Sequence, residues 1–300
     1  MPDPRPSVPT GTPPAEIPID EALVCRLLAD QHPDLAHLPV RAADAGWDNA
    51  MFRLGEHLAV RLPRRAVVAK LIEHEQQWLP RLAQRLPIAV PAACRLGEAA
   101  LDYPWRWSVV PWIDGESADV CEPDESQAAR FGQFLRSLHI PAPPQAPANP
   151  VRGVPLSQRA ASAQTRIERL ATQTGVITSK LRHIWEEALE APLDVTSSWL
   201  HGDLHSRNVL VQKGVITGVI DWGDITSGDC ATDLAAIWML FAEARVRDDA
   251  LAAYGVVSNA TMLRAKGWAV LFGVLLLDTG LVDNPRNERL GERILRRIVT

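Results

Sequence analysis

His201-Gly202-Asp203-Leu204-His205-Ser206-Arg207-Asn208, followed at once by Val209-Leu210-Val211, decides how this chain is read. The run after Asn208 is a strand, and thirteen residues beyond Asn208 stands Asp221, at the end of a second apolar run, Val219-Ile220. Aspartate is depleted inside strands, and a buried carboxylate without a partner is costly. Two Asp and one Asn at the edges of paired apolar strands therefore point to a hard cation. Magnesium takes oxygen ligands, usually one or two carboxylates together with phosphate and water. A second reading stays open at this point. His201, Asp203 and His205 alternate, so in an extended segment they share a face, and with Asp221 they form the outline of a transition-metal hydrolase site. Asn208 has no duty in that scheme.

Working outward, Val209 to Asp221 reads as strand-turn-strand, with Gln212-Lys213-Gly214 at the turn, and the chain beyond it is almost wholly helical. Upstream, Asp124 is expected to cap a helix whose apolar face is Phe131, Phe134, Leu135 and Leu138. The Pro-rich segment from Pro141 to Pro155 is a loop, and helical patterns recur after it over Ser157 to Leu170 and Leu181 to Leu189. The N-terminal part is strand-rich. Ala50 to Leu54 and Leu58 to Leu62 make a hairpin around Gly55-Glu56-His57, and Trp105 to Ile113 is a further strand. Asp20 opens a helix bearing Leu23, Leu27 and Leu28, and Arg64 to Trp78 suits another, ended or kinked by Pro80. Residues 1 to 18, rich in Pro and lacking periodicity, are expected to be a disordered tail. Segregated strands and helices define the α+β class, with a boundary near residues 110 to 115.

Bulk properties narrow the field. The chain has 300 residues, 47% hydrophobic and 22% charged, with a formal charge of −5. That balance gives no electrostatic case for nucleic acid or an anionic membrane as partner. The four cysteines, Cys25, Cys94, Cys121 and Cys230, form no CxxC pair and read as reduced thiols of a cytoplasmic protein. The most apolar stretch, Trp268 to Leu277, is too short to span a bilayer and reads as a buried helix. The N-terminus lacks the pattern of a signal peptide.

The loop from His201 to Asn208 is similar to the catalytic loop of aminoglycoside phosphotransferases and their relatives, which share the HxDxxxxN spacing with protein kinases. Ile220-Asp221-Trp222-Gly223 resembles that family's metal-binding segment. The resemblance runs from about Asp20 to the C-terminus, strongest over residues 200 to 235. It implies a two-lobed, protein-kinase-like fold, with residues 19–111 covering the nucleotide and 112–300 holding catalytic and acceptor groups. It implies that Asp203 orients the acceptor hydroxyl and takes its proton, and that Asn208 and Asp221 hold Mg²⁺ against the phosphates of ATP or GTP. His201 and His205 become supports, and Asp233 a cap or brace of the loop. Gly46-Trp47-Asp48-Asn49 falls where the family has its phosphate-covering loop, so Asn49 is a nucleotide contact. Arg61 stands where such kinases carry a lysine, with Glu75 as its helix partner ahead of Glu73, and Lys70 is assigned to a solvated face. Ser108 to Ile113 matches the hinge, so Val110 and Ile113 border the adenine, with Ile113 supplying the N–H because Pro111 has none.

The acceptor implied is a small-molecule hydroxyl compound: an aminoglycoside, a macrolide or a related metabolite. Acidic candidates for its pocket are Asp224, Asp229, Asp278 and Asp283, and flat apolar candidates are Trp222, Trp238 and Trp268. Two other classes compete: a non-catalytic nucleotide-binding module, favoured by Arg61, and the hydrolase built on His201, Asp203 and His205. The absence of a glycine-rich loop and of an Ala-Pro-Glu element speaks against a protein kinase. The sequence leaves the oligomeric state open.

Overall fold

The computed structural model describes residues 14–45 and 48–300. The N-terminal part is a five-stranded antiparallel sheet with a helix on each side. Helix α1 (Glu21–Gln31) begins where Asp20 Oδ1 accepts from the Leu23 N–H at 2.8 Å. It buries Leu23, Val24, Leu27 and Leu28 against the sheet. The strands are β1 (Val40–Ala45), β2 (Asn49–Leu54), β3 (Leu58–Pro63), β4 (Arg95–Gly97) and β5 (Trp107–Pro111), in the order β1-β2-β3-β5-β4. Alternation on β3 sets the site. Val60 and Leu62 point into the small core with α1, while Ala59 and Arg61 point to the opposite face and line a cleft. Strand β1, unanticipated, is an edge strand of Val-Arg-Ala-Ala-Asp-Ala, whose composition carries almost no strand signal.

Three expectations need correction here. Helix α2 (Ala66–Ala83) runs through Pro80 instead of ending there. Leu79 and Leu82 on either side of it are buried in the larger core, and that packing outweighs one missing hydrogen bond. The expected tail lies outside the described residues up to residue 13, but residues 14–18 are tied down. The Glu16 N–H donates to the Arg64 carbonyl at 2.9 Å, and Ile17 packs on the small core. The strand expected over Trp105 to Ile113 is confined to Trp107–Pro111.

The C-terminal part is mainly helical: α3 (Ala128–Leu138), α4 (Ala160–Gln173), α5 (Ser179–Glu190), α6 (Ala231–Leu234), α7 (Ala236–Leu240), α8 (Ala244–Tyr254), α9 (Asn259–Asp283) and α10 (Pro285–Ile298). Two small sheets are set into it. One pairs β7 (Ser198–Leu200) with β10 (Thr226–Gly228), and the other joins β6 (Glu116–Ser117), β8 (Val209–Gln212) and β9 (Val215–Val219). Lys213 and Gly214 make the β8–β9 turn with φ of 51° and 78°. Asp124 does not cap α3 with its side chain. A 3₁₀ turn, Glu125–Gln127, intervenes, and the Asp124 N–H donates to the Gly214 carbonyl at 2.8 Å. Its carboxylate lies where a Cβ on residue 214 would stand, 2.2 Å away.

Helix α9 has the length and hydropathy of a membrane span, but 67% of its apolar window is buried within the protein. It packs on α10, α5, α6 and α4 and is the central core helix. The Pro-rich segment is anchored rather than loose. The Ala142 N–H donates to the Ser197 carbonyl, the Pro147 carbonyl accepts from the Ser227 N–H, and the Gly153 carbonyl accepts from the Asp229 N–H. These bonds bring its C-terminal end, Asn149 to Gly153, beside Asp203.

Candidate active site

A cleft of about 690 Å³ lies between the sheet and the helical part. Asn49, Arg61, Val110, Ile113, Asp203, Asn208 and Asp221 all line it. Its floor is the loop after β7. His201 is fully buried, its ring 4.7 Å from that of Trp222, and both ring nitrogens are occupied. Nδ1 accepts from the Asp203 N–H at 3.3 Å, so Nε2 carries the proton and donates to the Ile220 carbonyl at 2.9 Å. The two segments bearing Asp203 and Asp221 are thereby joined through one imidazole. A metal-ligating role for His201, and with it the hydrolase reading, does not fit this geometry. Asp233 braces the loop from below. Its two carboxylate oxygens accept the N–H groups of His201 (2.7 Å) and Gly202 (2.9 Å).

Asp203 faces the cleft with its side chain 21% exposed. Arg152 Nη2 donates to its Oδ1 at 2.6 Å, and His205 Nε2 lies 3.4 Å from its Oδ2. Burial opposes its charge, but Arg152 and His205 outweigh it and hold the carboxyl far below the usual carboxylate range. Asn208 Nδ2 donates to the Asp203 carbonyl at 2.9 Å, leaving Oδ1 as its oxygen donor. Asp221 adopts a left-handed backbone (φ 62°, ψ 64°), unusual for a residue with a side chain, and 56% of its side chain is exposed. Two oxygen-donor side chains on adjacent turns, bound together by the bond from the Ile220 N–H to the Asn208 carbonyl (2.9 Å), suit a hard divalent cation. The residues present fit Mg²⁺.

On the opposite wall, Arg61 is 6% exposed. Its Nη1 bonds Glu75 Oε2, and its Nη2 donates to Asp221 Oδ1 at 3.1 Å. With its amide oxygen turned toward Arg61, the orientation that satisfies both residues, Asn49 accepts from Nη2 at 3.0 Å and Nε at 3.1 Å. Burial pushes the Glu75 carboxyl up and Arg61 pulls it back. Burial works against the charge of Arg61, but Glu75 and Asp221 outweigh it and keep the guanidinium firmly protonated. Glu73 and Lys70 are exposed on the outer side of α2. Val110 is buried on β5 opposite Ala59. The Trp112 N–H is spent on the His57 carbonyl at 2.8 Å, which leaves that of Ile113 as the next donor along the cleft wall. Gly46 and Trp47 lie outside the described residues.

The acceptor-side expectations fare differently. Asp224 lines the cleft and accepts from Asn149 Nδ2 at 2.6 Å. Asp229 and Asp278 are buried and bonded to Arg264 and to Arg169. Trp222, Trp238 and Trp268 are core residues, because each lies on a face that the helical packing covers. Arg152 and Asn149 were missed. They sit 51 and 75 residues from their partners along the chain, in a segment without periodicity, and no sequence pattern marks them.

A small antiparallel sheet over a helical lobe, with the Asp203 loop in the cleft between them, defines a two-lobed protein-kinase-like architecture. The model of the phosphotransferase enzyme family matches residues 39–268, and the chain belongs to that family. Among solved structures, the chain resembles the GDP complex of aminoglycoside 2'-phosphotransferase-IIIa, with a TM-score of 0.66, 17% identity, and 94% of this chain and 99% of that one covered. It also resembles macrolide 2'-phosphotransferase MphH from Brachybacterium faecium, with a TM-score of 0.61, 21% identity and 92% and 98% covered. At these identities the likeness is one of fold. In sequence, 86 residues are 38% identical to viomycin phosphotransferase of Streptomyces vinaceus, a match spanning 27% of this chain and 25% of that relative's length.

Proposed function

We propose that this chain transfers the γ-phosphoryl group of ATP or GTP, in a Mg²⁺-dependent reaction, to a hydroxyl of a small molecule. The observation that carries the proposal is the joining of Asp203, Asn208 and Asp221 around His201 on one side of a single cleft. Asp203 orients the acceptor hydroxyl. As the hydroxyl oxygen bonds to the γ-phosphorus and the bond to the β-phosphate oxygen breaks, the hydroxyl proton passes to an Asp203 oxygen and on to solvent. A carboxyl held so far below its ordinary range is a weak base, so its main contribution is alignment, with proton uptake late in the transfer. Asn208 and Asp221 would hold Mg²⁺, which would supply positive charge against the phosphates. Arg61, anchored by Glu75, presents its guanidinium to the nucleotide phosphates in place of a lysine. Asn49 positions Arg61, and Val110 and Ile113 border the base. In this division residues 19–111 cover the nucleotide and 112–300 bind the acceptor. The four unpaired thiols suit a cytoplasmic setting. Phosphotransferases acting on antibiotics among the relatives favour a hydroxyl-bearing antibiotic or a related metabolite as acceptor.

The test is nucleotide-dependent stabilisation. Mg·ATP or Mg·GTP at 100 times its dissociation constant raises stability by about 2.7 kcal/mol, read as a higher melting temperature. Asp221→Ala is expected to lose the part of that shift that needs Mg²⁺. A wild-type protein unmoved by either nucleotide would refute the proposal.

A further inference from the structure

Arg152, Arg159, Arg166 and Arg169 have two carboxylate partners between them, Asp203 and Asp278. Arg152 ends the Pro-rich segment, with its guanidinium 4.7 Å over the Phe272 ring. Arg159 stands at the N-terminus of α4, and Arg166 and Arg169 follow on that helix. Arg159 and Arg166 are seven residues apart and so share one face. Arg166 Nε lies 3.3 Å from Asp278 Oδ2, and Arg169 Nε donates to Asp278 Oδ1 at 2.7 Å, so two arginines share one carboxylate. Asp203 is taken by Arg152, and Asp224 by Asn149.

Arg159 is left over. Among the described residues it has no hydrogen-bond or ion-pair partner, and its Nε is buried without an acceptor. The charged groups acting on it are Arg152 and Arg166, both of like sign. Arg152 Nε is buried and unpartnered as well. Buried N–H donors left without acceptors are unfavourable, and so is a guanidinium such as that of Arg159 with like charges acting on it and no counter-charge. An anion with several acceptor oxygens relieves both.

We propose that Arg152, Arg159 and Arg166 form an anion subsite beside Asp203, so that the acceptor is a hydroxyl compound carrying a carboxylate or phosphate group. The subsite grips that group and sets the hydroxyl against Asp203. The inference rests on the phosphotransferase reading above and narrows it: a polycationic acceptor meets arginines here, and the carboxylates that would receive it are already paired.

The test is calorimetric titration of inorganic phosphate into full-length protein saturated with Mg²⁺ and a non-hydrolysable nucleotide analogue, which occupies the catalytic phosphate site. The expected result is saturable binding that Arg159→Gln weakens at least tenfold and Arg159→Lys weakens less than threefold, with no binding of methylammonium. Unaltered melting temperatures for the variants show that the loss is local. Phosphate that fails to bind, phosphate binding unaffected by Arg159→Gln, or tighter binding of methylammonium would overturn the subsite. Nucleotide binding, measured in the same preparations, separates the two claims. Its loss in wild type sinks the phosphotransferase reading, whereas its retention without phosphate binding sinks only the subsite.

Discussion

Two arginines clamp the two carboxylates that matter here, and they do so in different ways. Arg61 is sealed under the sheet, and its donors are used by Glu75, Asp221 and Asn49. Arg152 reaches Asp203 from a loop, with its Nε unpartnered and the unpaired Arg159 acting on the same region with like charge. The first is a closed network in which every charge has a partner, and the second is an open one with donors to spare. A closed network fixes geometry. An open one is poised for a ligand. On the proposed function, the closed network serves the nucleotide phosphates, a constant substrate, and the open one the acceptor, a selected one.

The largest expected effect breaks the closed network. Arg61→Ala strands Glu75, 2% exposed, as an uncompensated buried charge, and removal of one partner from such a pair costs about 3–5 kcal/mol. Denaturant unfolding is the measurement, and a loss below about 1 kcal/mol, the range of exposed pairs, would show the network to be dispensable. Arg61→Lys sharpens the comparison. It keeps the charge but loses the fork, so the KM for nucleotide is expected to rise about tenfold, one lost interaction of about 1.4 kcal/mol, with most stability retained.

At the open end, Arg152→Ala is expected to be mild in stability, about 1 kcal/mol or less, because the pair is partly exposed. Its signature is in pH. The folded-state carboxyl of Asp203 is depressed, so the stability it contributes is fully present above the unfolded value of about 3.9 and is lost as pH falls through the folded value. Removing Arg152 raises the folded value. Stability between wild type and variant therefore converges in acid, and the acid limb of the kcat profile moves to higher pH. An unshifted limb would mean that Arg152 does not govern the charge of Asp203. Between Arg61→Ala and Arg152→Ala in size is Asp233→Asn, which leaves one acceptor oxygen for two backbone N–H groups and is expected to cost about 1–3 kcal/mol. His201→Ala in the same series would separate loop bracing from chemistry.

The same contrast explains what the sequence discloses. Arg61 and Glu75 lie fourteen residues apart on a strand and the next helix, where alternation and helical spacing point both inward. Asp203, Asn208 and Asp221 flank a strand-turn-strand unit whose apolar runs are unmistakable. Arg152 sits in a proline-rich segment whose path is set by bonds to β7 and β10, contacts that no local pattern encodes. Asp229 and Asp278 look like free acids in sequence because their arginine partners lie 35 and 109 residues away. Pro80 misleads for a related reason, since burial of Leu79 and Leu82 overrides a local rule. Local chemistry on regular elements is legible, and pairing across the fold is not.

The central claim is that Asp203 serves phosphoryl transfer across this cleft. Transfer of radiolabelled γ-phosphate from Mg·ATP and Mg·GTP to a panel of hydroxyl compounds, comparing wild type with Asp203→Asn, tests it most directly. A labelled acceptor is expected with wild type and a rate lower by about 10²–10⁴-fold in the variant, with nucleotide binding retained. Equal rates for the two proteins would contradict it.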